Sequence, residues 1–199
     1  MGEFELIRRH FQRQRPARAD VPLGIGDDCA LLSPAPGQQL AVSTDMLVEG
    51  RHFLSTVDPA ALGHKALAVN LSDLAAMGAE PCWLSLGLTL PAVNDDWLKA
   101  FAEGLSETAD YYNCQLIGGD TTRGPLSLTM IAKGLVPKGK AITRAGAQNG
   151  DYLYVTGTLG DAALGLKLVQ EQVEVSKKHR AHILQRFHYP TARVALGQA

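Results

Sequence analysis

The chain has 199 residues, of which 46% are hydrophobic and 20% are charged, and its formal net charge is −1. This composition is typical of a soluble globular protein with one core or two small ones. A net charge so close to zero argues against nucleic-acid binding, which needs a concentrated positive field. The locally basic residues 8–18 most simply form the solvated side of a helix, with a nucleic-acid arm as the alternative.

Membrane and disulfide signals are also lacking in the sequence. No run of residues has the length of a membrane span, and the N-terminus has no apolar signal-peptide core. The three cysteines, Cys29, Cys82 and Cys114, are scattered and lack C-x-x-C spacing. We therefore expect a cytoplasmic protein without a disulfide framework or a zinc site.

Helices and strands are predicted to mix through the first half of the chain. In chain order, we expect a helix over 3–14, extended segments at 23–25 and 30–32, a strand at 39–43, a loop over 46–53 and a helix from Pro59 to about Met77. The helix from Pro59 to Met77 has the clearest signals, because Asp58 is a good N-cap, Pro59 suits the first helical position and Gly78 can close the C-terminus.

The second half continues the mixture. We expect a strand at 82–90, a helix from Asn94 or Asp95 to 111–112, strands at 115–117 and 126–136, a linker over 137–150, a strand at 151–156 and helices at 161–170 and 179–187. The predicted fold class is α/β (α+β), with a mixed sheet and helices packed on one of its faces. The expected domains are residues 1–137 and, for a linker and the opening of a second α/β domain, residues 138–199.

Acidic residues recur in four similar settings. Asp27 and Asp28 follow a Gly-x-Gly turn, Asp45 follows a predicted strand, Asp73 lies within a predicted helix and Asp120 follows a strand and two glycines. Taken singly, each is more simply a turn former or a helix cap. As a set, these carboxylates exceed the nearby basic residues, and hard oxygen ligands without enough cations are what Mg²⁺ or Ca²⁺ binds. We therefore favour a metal site, on the hypothesis that the four settings converge in space.

A nucleotide triphosphate is the obvious partner for several Mg²⁺ ions. The chain nevertheless contains neither a G-x-x-x-x-G-K-[ST] loop nor the H-R-D and D-F-G motifs of protein kinases. Any ATP must then be held by metals, by glycine backbone and by a few basic groups.

Five segments resemble the thiamine-monophosphate kinase family, in that family's order and spacing. They are G-I-G-D-D at 24–28, S-T-D at 43–45, N-L-S-D-L-A-A-M-G-A at 70–79, G-G-D-T-T at 118–122 and T-G-T-L-G-D at 156–161. The resemblance extends over essentially the whole chain. The wider superfamily, which includes aminoimidazole ribonucleotide synthetase, shares the ATP-binding plan.

The resemblance implies roles for individual residues. By position it implies Mg²⁺ ligands at Asp28, Ser43, Thr44, Asp45, Asp73 and Asp120. It likewise implies nucleotide contacts at Gly119, Asp120, Tyr112 and Arg144, and a substrate contact at His52. The adjacency of Asp27 and Asp28 separates their roles, because neighbouring side chains in an extended segment point to opposite sides. Asp27 is therefore expected to hold backbone behind the ligands, with direct metal binding as the alternative.

The implied reaction is transfer of the γ-phosphoryl group of ATP to thiamine monophosphate, which gives thiamine diphosphate and ADP. The alternatives are another superfamily reaction, such as that of aminoimidazole ribonucleotide synthetase, or a nucleotide-binding dimerisation module without activity. The family is homodimeric, and its second domain carries a further D-x-S-D-G-L motif that does not occur before Ala199. We therefore expect the chain to be a fragment that lacks part of the site. The strands predicted at 82–90 and 126–136 are the candidates for a dimer surface.

Overall fold

The computed structural model describes residues 2–12 and 17–199, without the side chain of Glu3. Its helices are α1 (Glu3–Leu6), α2 (Pro59–Ala76), α3 (Asp95–Tyr111), α4 (Asp161–Val169), α5 (Lys177–His188) and α6 (Val194–Gly197), with a π-helical turn at Ile7–Phe11 and a 3₁₀ turn at Arg144–Gly146. Its strands are β1 (Gln38–Val48), β2 (Glu80–Leu90), β3 (Gln115–Arg123) and β4 (Ser127–Pro137). None of the described helices is both long and apolar enough to cross a membrane.

The strands form one mixed sheet in the order β1-β4-β2-β3. Strand β4 pairs antiparallel with both β1 and β2, whereas β2 and β3 run parallel. Parallel neighbours need a crossover connection, and α3 with its flanking turns supplies it between β2 and β3. The predicted α/β class with a mixed sheet is confirmed.

One side of the sheet, the helix face, carries the main core. Alternate residues of β2 and β4, among them Leu84, Leu88, Leu128 and Met130, are buried there against α2 and α3. The two helices approach closely because Gly63 and Gly104 lack side chains at their crossing: a Cβ on Gly104 would overlap the carbonyl of Ala60.

The other side of the sheet, the open face, carries the strand residues that alternate with the core residues. Examples are Trp83, Ser85, Gly87 and Lys133. Residues of the N-terminal segment cover part of it, since Val21 packs with Trp83 in a second, smaller core. An ion pair between Arg18 and Asp20 (2.9 Å) lies beside that core, and the Trp83 indole N–H donates to the Asp20 carboxylate at 3.2 Å. These contacts fix the segment that leads into the Gly-x-Gly turn.

The helix signals at α2 and α3 are confirmed. The Asp58 side chain accepts a hydrogen bond from the Ala61 amide (2.9 Å), and Asn94 accepts one from the Trp97 amide (3.0 Å), so both are N-caps. Gly78 has φ +70°, the left-handed conformation that commonly closes a helix.

Several predicted boundaries are wrong. Strand β1 continues to Val48 and β3 to Arg123, so Asp45 and Asp120 lie within strands rather than after them. Residues 151–156 form no strand and are exposed; a strand needs a partner, and no described segment pairs with this one. In the first predicted helix, the α-helical part ends at Leu6 and the π-helical turn at Phe11; residues 13 and 14 of that prediction lie outside the described residues. Helix α6 was not predicted.

Candidate functional site

The first group of candidate residues lies at the exposed edge of the helix face. Ser43 and Asp45 are two residues apart on β1 and pair with Ala132 and Met130, so both side chains point to the helix face. Asp73, in the last turn of α2, meets them there: the Ser43 hydroxyl donates to a carboxylate oxygen of Asp73 at 2.6 Å. The fold therefore joins two of the predicted acidic settings.

The electrostatics of this group favour a cation. Partial burial and the neighbouring Asp73 carboxylate raise the pKa of Asp45, while His52 acts in the opposite direction. Two carboxylates held close to each other repel unless a cation or hydrogen bonds compensate them. Carboxylate and hydroxyl oxygens are also the hard ligands that Mg²⁺ prefers.

Asn70 lies three residues before Asp73, on the same side of α2. It adds a hydrogen-bond acceptor that has no partner among the described residues. Its side chain is fully buried and its amide nitrogen donates to the Ala66 carbonyl at 3.3 Å. Its Oδ1 atom is buried without a hydrogen-bond partner among the described residues. The burial of this side chain and its unpaired acceptor were not predicted from the sequence.

His52 is held in one tautomer by the turn that follows β1. Its Nδ1 atom accepts a hydrogen bond from the Val48 amide at 3.0 Å, and its own amide donates to the Val48 carbonyl at 2.9 Å. A backbone N–H can only donate, so Nδ1 is unprotonated in this arrangement and the proton of the neutral ring is on Nε2. The exposed ring thus presents an N–H donor near Asp45, at the position predicted for a substrate contact.

The second group surrounds a cavity of about 1150 Å³ on the open face of the sheet. Its polar lining includes Asp27, Asp28, Asp120, Ser85 and Lys133. In the turn, a carboxylate oxygen of Asp27 accepts a hydrogen bond from the Asp28 amide at 2.8 Å. Asp27 thus accepts a backbone hydrogen bond within the turn, and both its predicted role behind the ligands and the ligand role of Asp28 stay predictions.

Gly119 and Asp120 occupy the β3 wall of this cavity. Asp120 pairs with Gly87 of β2 and therefore points to the open face. A side chain at Gly119 would overlap the carbonyl oxygen of Leu86, so the close packing of β3 on β2 requires glycine there. The glycine at this position is explained by strand packing; its nucleotide contact stays a prediction.

The structure does not gather all the acids around one centre. Asp45 and Asp73 meet on the helix face, whereas Asp27, Asp28 and Asp120 line the cavity on the open face. Thr44 pairs with Ile131 and points to the open face, away from its two neighbours. Within residues 2–12 and 17–199, no three Asp, Glu, His or Cys side chains are close enough to enclose a metal ion. The four settings thus do not converge within the described chain, and the metal-ligand roles of the individual residues stay predictions.

Tyr112 and Arg144 are the remaining predicted nucleotide contacts. The Tyr112 hydroxyl donates to the Ala192 carbonyl at 2.7 Å, and burial raises the pKa of the phenol. Arg144 is exposed in the 3₁₀ turn. Neither of them lines the cavity, and their nucleotide contacts stay predictions.

The lysine of α2 contacts an aromatic ring rather than the acids. Lys65, two helical turns before Asp73, instead places its ammonium over the Phe187 ring, 3.9 Å from the centroid, and burial lowers its pKa. Lys133 lines the cavity but was missed, because one lysine in an apolar strand resembles an ordinary exposed residue. Its position in the alternation of β4, on the side away from the helices, was the available signal.

The chain is similar in sequence to thiamine-monophosphate kinases over its whole length. Over all 199 residues the chain is 57% identical to a thiamine-monophosphate kinase of Salmonella typhimurium, and it covers 61% of that protein. It is 38% identical to a thiamine-monophosphate kinase of Bacillus subtilis, of which it covers 62%. The chain thus spans about three fifths of the length of these relatives.

Solved structures give the same picture. The crystal structure of a thiamine-monophosphate kinase from Stenotrophomonas maltophilia matches all of this chain with a TM-score of 0.88 at 47% identity, and 64% of that protein is covered. AaThiL complexed with AMPPCP and TMP matches 99% of this chain with a TM-score of 0.76 at 31% identity, and 62% of it is covered.

The family model described as "AIR synthase related protein, N-terminal domain" matches residues 26–136, which is more than half of the chain. The matched segment runs from the acidic turn through all four strands of the sheet and therefore contains both groups of candidate residues. The chain belongs to the AIR synthase-related family and contains its N-terminal domain.

Proposed function

We propose that this protein transfers the γ-phosphoryl group of ATP to thiamine monophosphate, forming thiamine diphosphate and ADP. The observation that carries the proposal is the meeting of Ser43, Asp45 and Asp73 at the edge of the helix face, where oxygen ligands lack a cation. The chain also resembles a protein solved with AMPPCP and TMP.

Asp45 and Asp73, with Ser43 beside them, would hold Mg²⁺ on the helix face, and Asp28, Asp120 and Thr44 are the proposed ligands on the open face. The donor set fits that ion, since it consists of carboxylate and hydroxyl oxygens. Bound Mg²⁺ would neutralise the charge of two phosphorylated substrates that repel each other. Gly119, Tyr112 and Arg144 are the proposed nucleotide contacts.

The acceptor chemistry explains why no catalytic base is evident. A phosphate monoester has a second pKa of about 6 and is largely ionised at neutral pH, so it needs no strong base to become a nucleophile. The site has to align two anions and neutralise their charge. His52, with the ring proton on Nε2, would donate to the phosphate of thiamine monophosphate. We propose direct in-line transfer, which predicts inversion at a chiral γ-phosphate; retention would contradict it.

We also propose that the protein is a homodimer joined through the open face of the sheet. Leu40, Val42 and Met46 alternate along the edge strand β1 on that face and are 53%, 56% and 59% exposed. Such an apolar row on an edge strand is usually covered by a partner. The strands first suggested for this surface, β2 and β4, are central, so β1 brings the larger exposed apolar area.

Residues 1–137 would then form the domain that binds ATP and dimerises, and residues 138–199 would open a second domain. We assign the protein to the cytoplasm. The three cysteines are free, and burial raises the pKa of Cys82 to about 11 and of Cys114 to about 12, so both thiols stay protonated at neutral pH. These thiols suit a reducing compartment.

An ADP-release assay tests the reaction. The protein is supplied with ATP, MgCl₂ and either thiamine monophosphate or formylglycinamidine ribonucleotide. ADP and thiamine diphosphate formed only with thiamine monophosphate would support the proposal. ADP formed only with the ribonucleotide would favour an aminoimidazole ribonucleotide synthetase. Mg²⁺-dependent binding of an ATP analogue without turnover of either substrate would favour a nucleotide-binding module.

A further inference from the structure

Lys133 is a half-buried cation with a single described partner. Its ammonium donates to the Ser85 hydroxyl at 2.8 Å, and a lysine ammonium has three N–H donors. No carboxylate of the described residues lies within ion-pair distance of it. Burial lowers the pKa of this lysine, because the charged form loses hydration without gaining a counter-ion.

The described neighbours of Lys133 on its own strand and on β1 are apolar, so packing does not require a charge at this position. On β4 the neighbouring open-face residues are Ile131 and Leu135, and Val42 lies opposite on β1. An apolar residue at this position would pack with them at no cost in hydration. A half-buried cation without a counter-ion is stabilised when an anion binds beside it.

The cavity beside Lys133 offers room for that anion. The same cavity is lined by Asp28 and Asp120, which are the proposed metal ligands on this face, and by Asp27. It is also lined by Gly118, where an added Cβ would meet no atom within 4 Å, so the β3 wall is open at that point. If metal ions are bound to these acids, an anion in the cavity would lie between the metal ions and Lys133.

We propose that Lys133, oriented by Ser85, binds a phosphate oxygen of the nucleotide's polyphosphate chain. This inference rests on the proposed function and extends it, because it gives a role to a strand cation in the cavity of Asp28 and Asp120, whose lining also includes Arg8. An ammonium contacts phosphate as a point charge, which suits a chain of phosphates with several charged oxygens. Another source of the anion is a carboxylate of a second copy of the chain, seated on the open face.

Binding of inorganic tripolyphosphate, measured by calorimetry with MgCl₂, tests Lys133 without the nucleoside and without turnover. We expect Lys133→Met to weaken tripolyphosphate binding about tenfold or more, since a charge-assisted hydrogen bond is lost. Lys133→Arg should keep most of the affinity, and Ser85→Ala should lower it about threefold. The matched control is Lys138→Met, because Lys138 is exposed in the turn after β4 and lies outside the cavity.

A melting curve separates a binding role from a structural one. Methionine removes a poorly compensated charge, so the Lys133→Met variant should melt at the same temperature as the unchanged protein or slightly above it. A lower melting temperature with unchanged tripolyphosphate affinity would show that the Ser85 bond is only structural, and would overturn the proposal. Unchanged affinity in Lys133→Met, equal losses in Lys138→Met, or no binding by the unchanged protein would also overturn it.

Light scattering distinguishes the two sources of the anion. If Lys133→Met dissociates a dimer while tripolyphosphate affinity is unchanged, the partner of Lys133 is a carboxylate of the second copy and the inference is wrong. The inference and the proposed function fail separately. Lys133-dependent tripolyphosphate binding without phosphorylation of thiamine monophosphate would establish Lys133 as a phosphate-binding residue and would count against phosphoryl transfer by this chain.

Discussion

Replacing Asp45 with asparagine is expected to change stability in opposite directions with and without Mg²⁺. In the chain without metal, burial and Asp73 raise the pKa of Asp45, so the ionised form is unfavourable in the folded state. Asp45→Asn removes that charge and keeps the shape. Interactions between partly exposed charges amount to about 0.5 kcal/mol, and the corresponding rise in melting temperature is about 1–2 °C for a chain of this length.

Saturating Mg²⁺ should reverse the order. A ligand at a hundred times its dissociation constant stabilises the folded state by about 2.7 kcal/mol. Loss of one carboxylate ligand should weaken Mg²⁺ binding by at least about tenfold, which removes about 1.4 kcal/mol of that gain. Asp45→Asn should therefore melt above the unchanged chain in EDTA and below it in MgCl₂.

Thermal melts in EDTA and in a series of MgCl₂ concentrations are the assay. The matched control is Glu174→Gln, which neutralises an exposed carboxylate in the segment between α4 and α5. The same sign of change for Asp45→Asn in both solutions would refute the reasoning. A shift in Glu174→Gln equal to that in Asp45→Asn would assign the effect to net charge.

The pH dependence has a definite sign as well. Because the folded-state pKa of Asp45 is raised above its unfolded value, its ionisation lowers stability as the pH rises through that raised pKa. The unchanged chain in EDTA should thus gain stability relative to Asp45→Asn as the pH falls from neutrality toward 4. Parallel stability curves for the two proteins over this range would contradict the assignment.

Three further predictions concern the fold. Gly104→Ala should lower the melting temperature by about 5 °C, since the new methyl group overlaps the Ala60 carbonyl and overpacking costs about 1–3 kcal/mol; an unchanged melting temperature would show that α2 and α3 separate freely. Asp20→Asn should lower the free energy of unfolding by about 1 kcal/mol at neutral pH and leave it unchanged at very low pH. The Arg18 hydrogen bond lowers the pKa of Asp20, so the stabilisation is lost as the pH falls from 3.8 through that lowered value. An equal loss at all pH values, in acid titrations followed by circular dichroism, would contradict this. Leu40→Lys should convert a dimer to a monomer in light scattering, and an intact dimer would place the interface elsewhere.

Local signals in the sequence were sufficient wherever a local interaction determines the structure. Helix α2 was predicted almost to the residue because Asp58, Pro59 and Gly78 act on their own neighbours. The ends of β1 and β3 were not predictable in this way. Both strands continue past glycine, serine and threonine because β4 and β2 offer partners, and that pairing is decided by residues far away in the chain.

The same distinction holds for the site. The sequence identified Asp45 and Asp73 as candidates, but only the fold shows that Ser43 links them, because β1 and α2 meet at the edge of the helix face. The partner of Lys65 was unpredictable, since Phe187 lies more than a hundred residues away in the sequence. Lys133 became a candidate only when the open face and its cavity were defined.

The most direct test of metal-dependent nucleotide binding is a crystal structure of the chain with AMPPCP and Mn²⁺. Anomalous scattering locates the Mn²⁺ ions in such a crystal. The proposal predicts an anomalous peak at coordination distance, about 2.1 Å, from carboxylate oxygens of both Asp45 and Asp73. It predicts a further peak at Asp120, with phosphates of the analogue in the open-face cavity beside that residue. Bound AMPPCP with no anomalous peak at any of these three carboxylates would contradict the account.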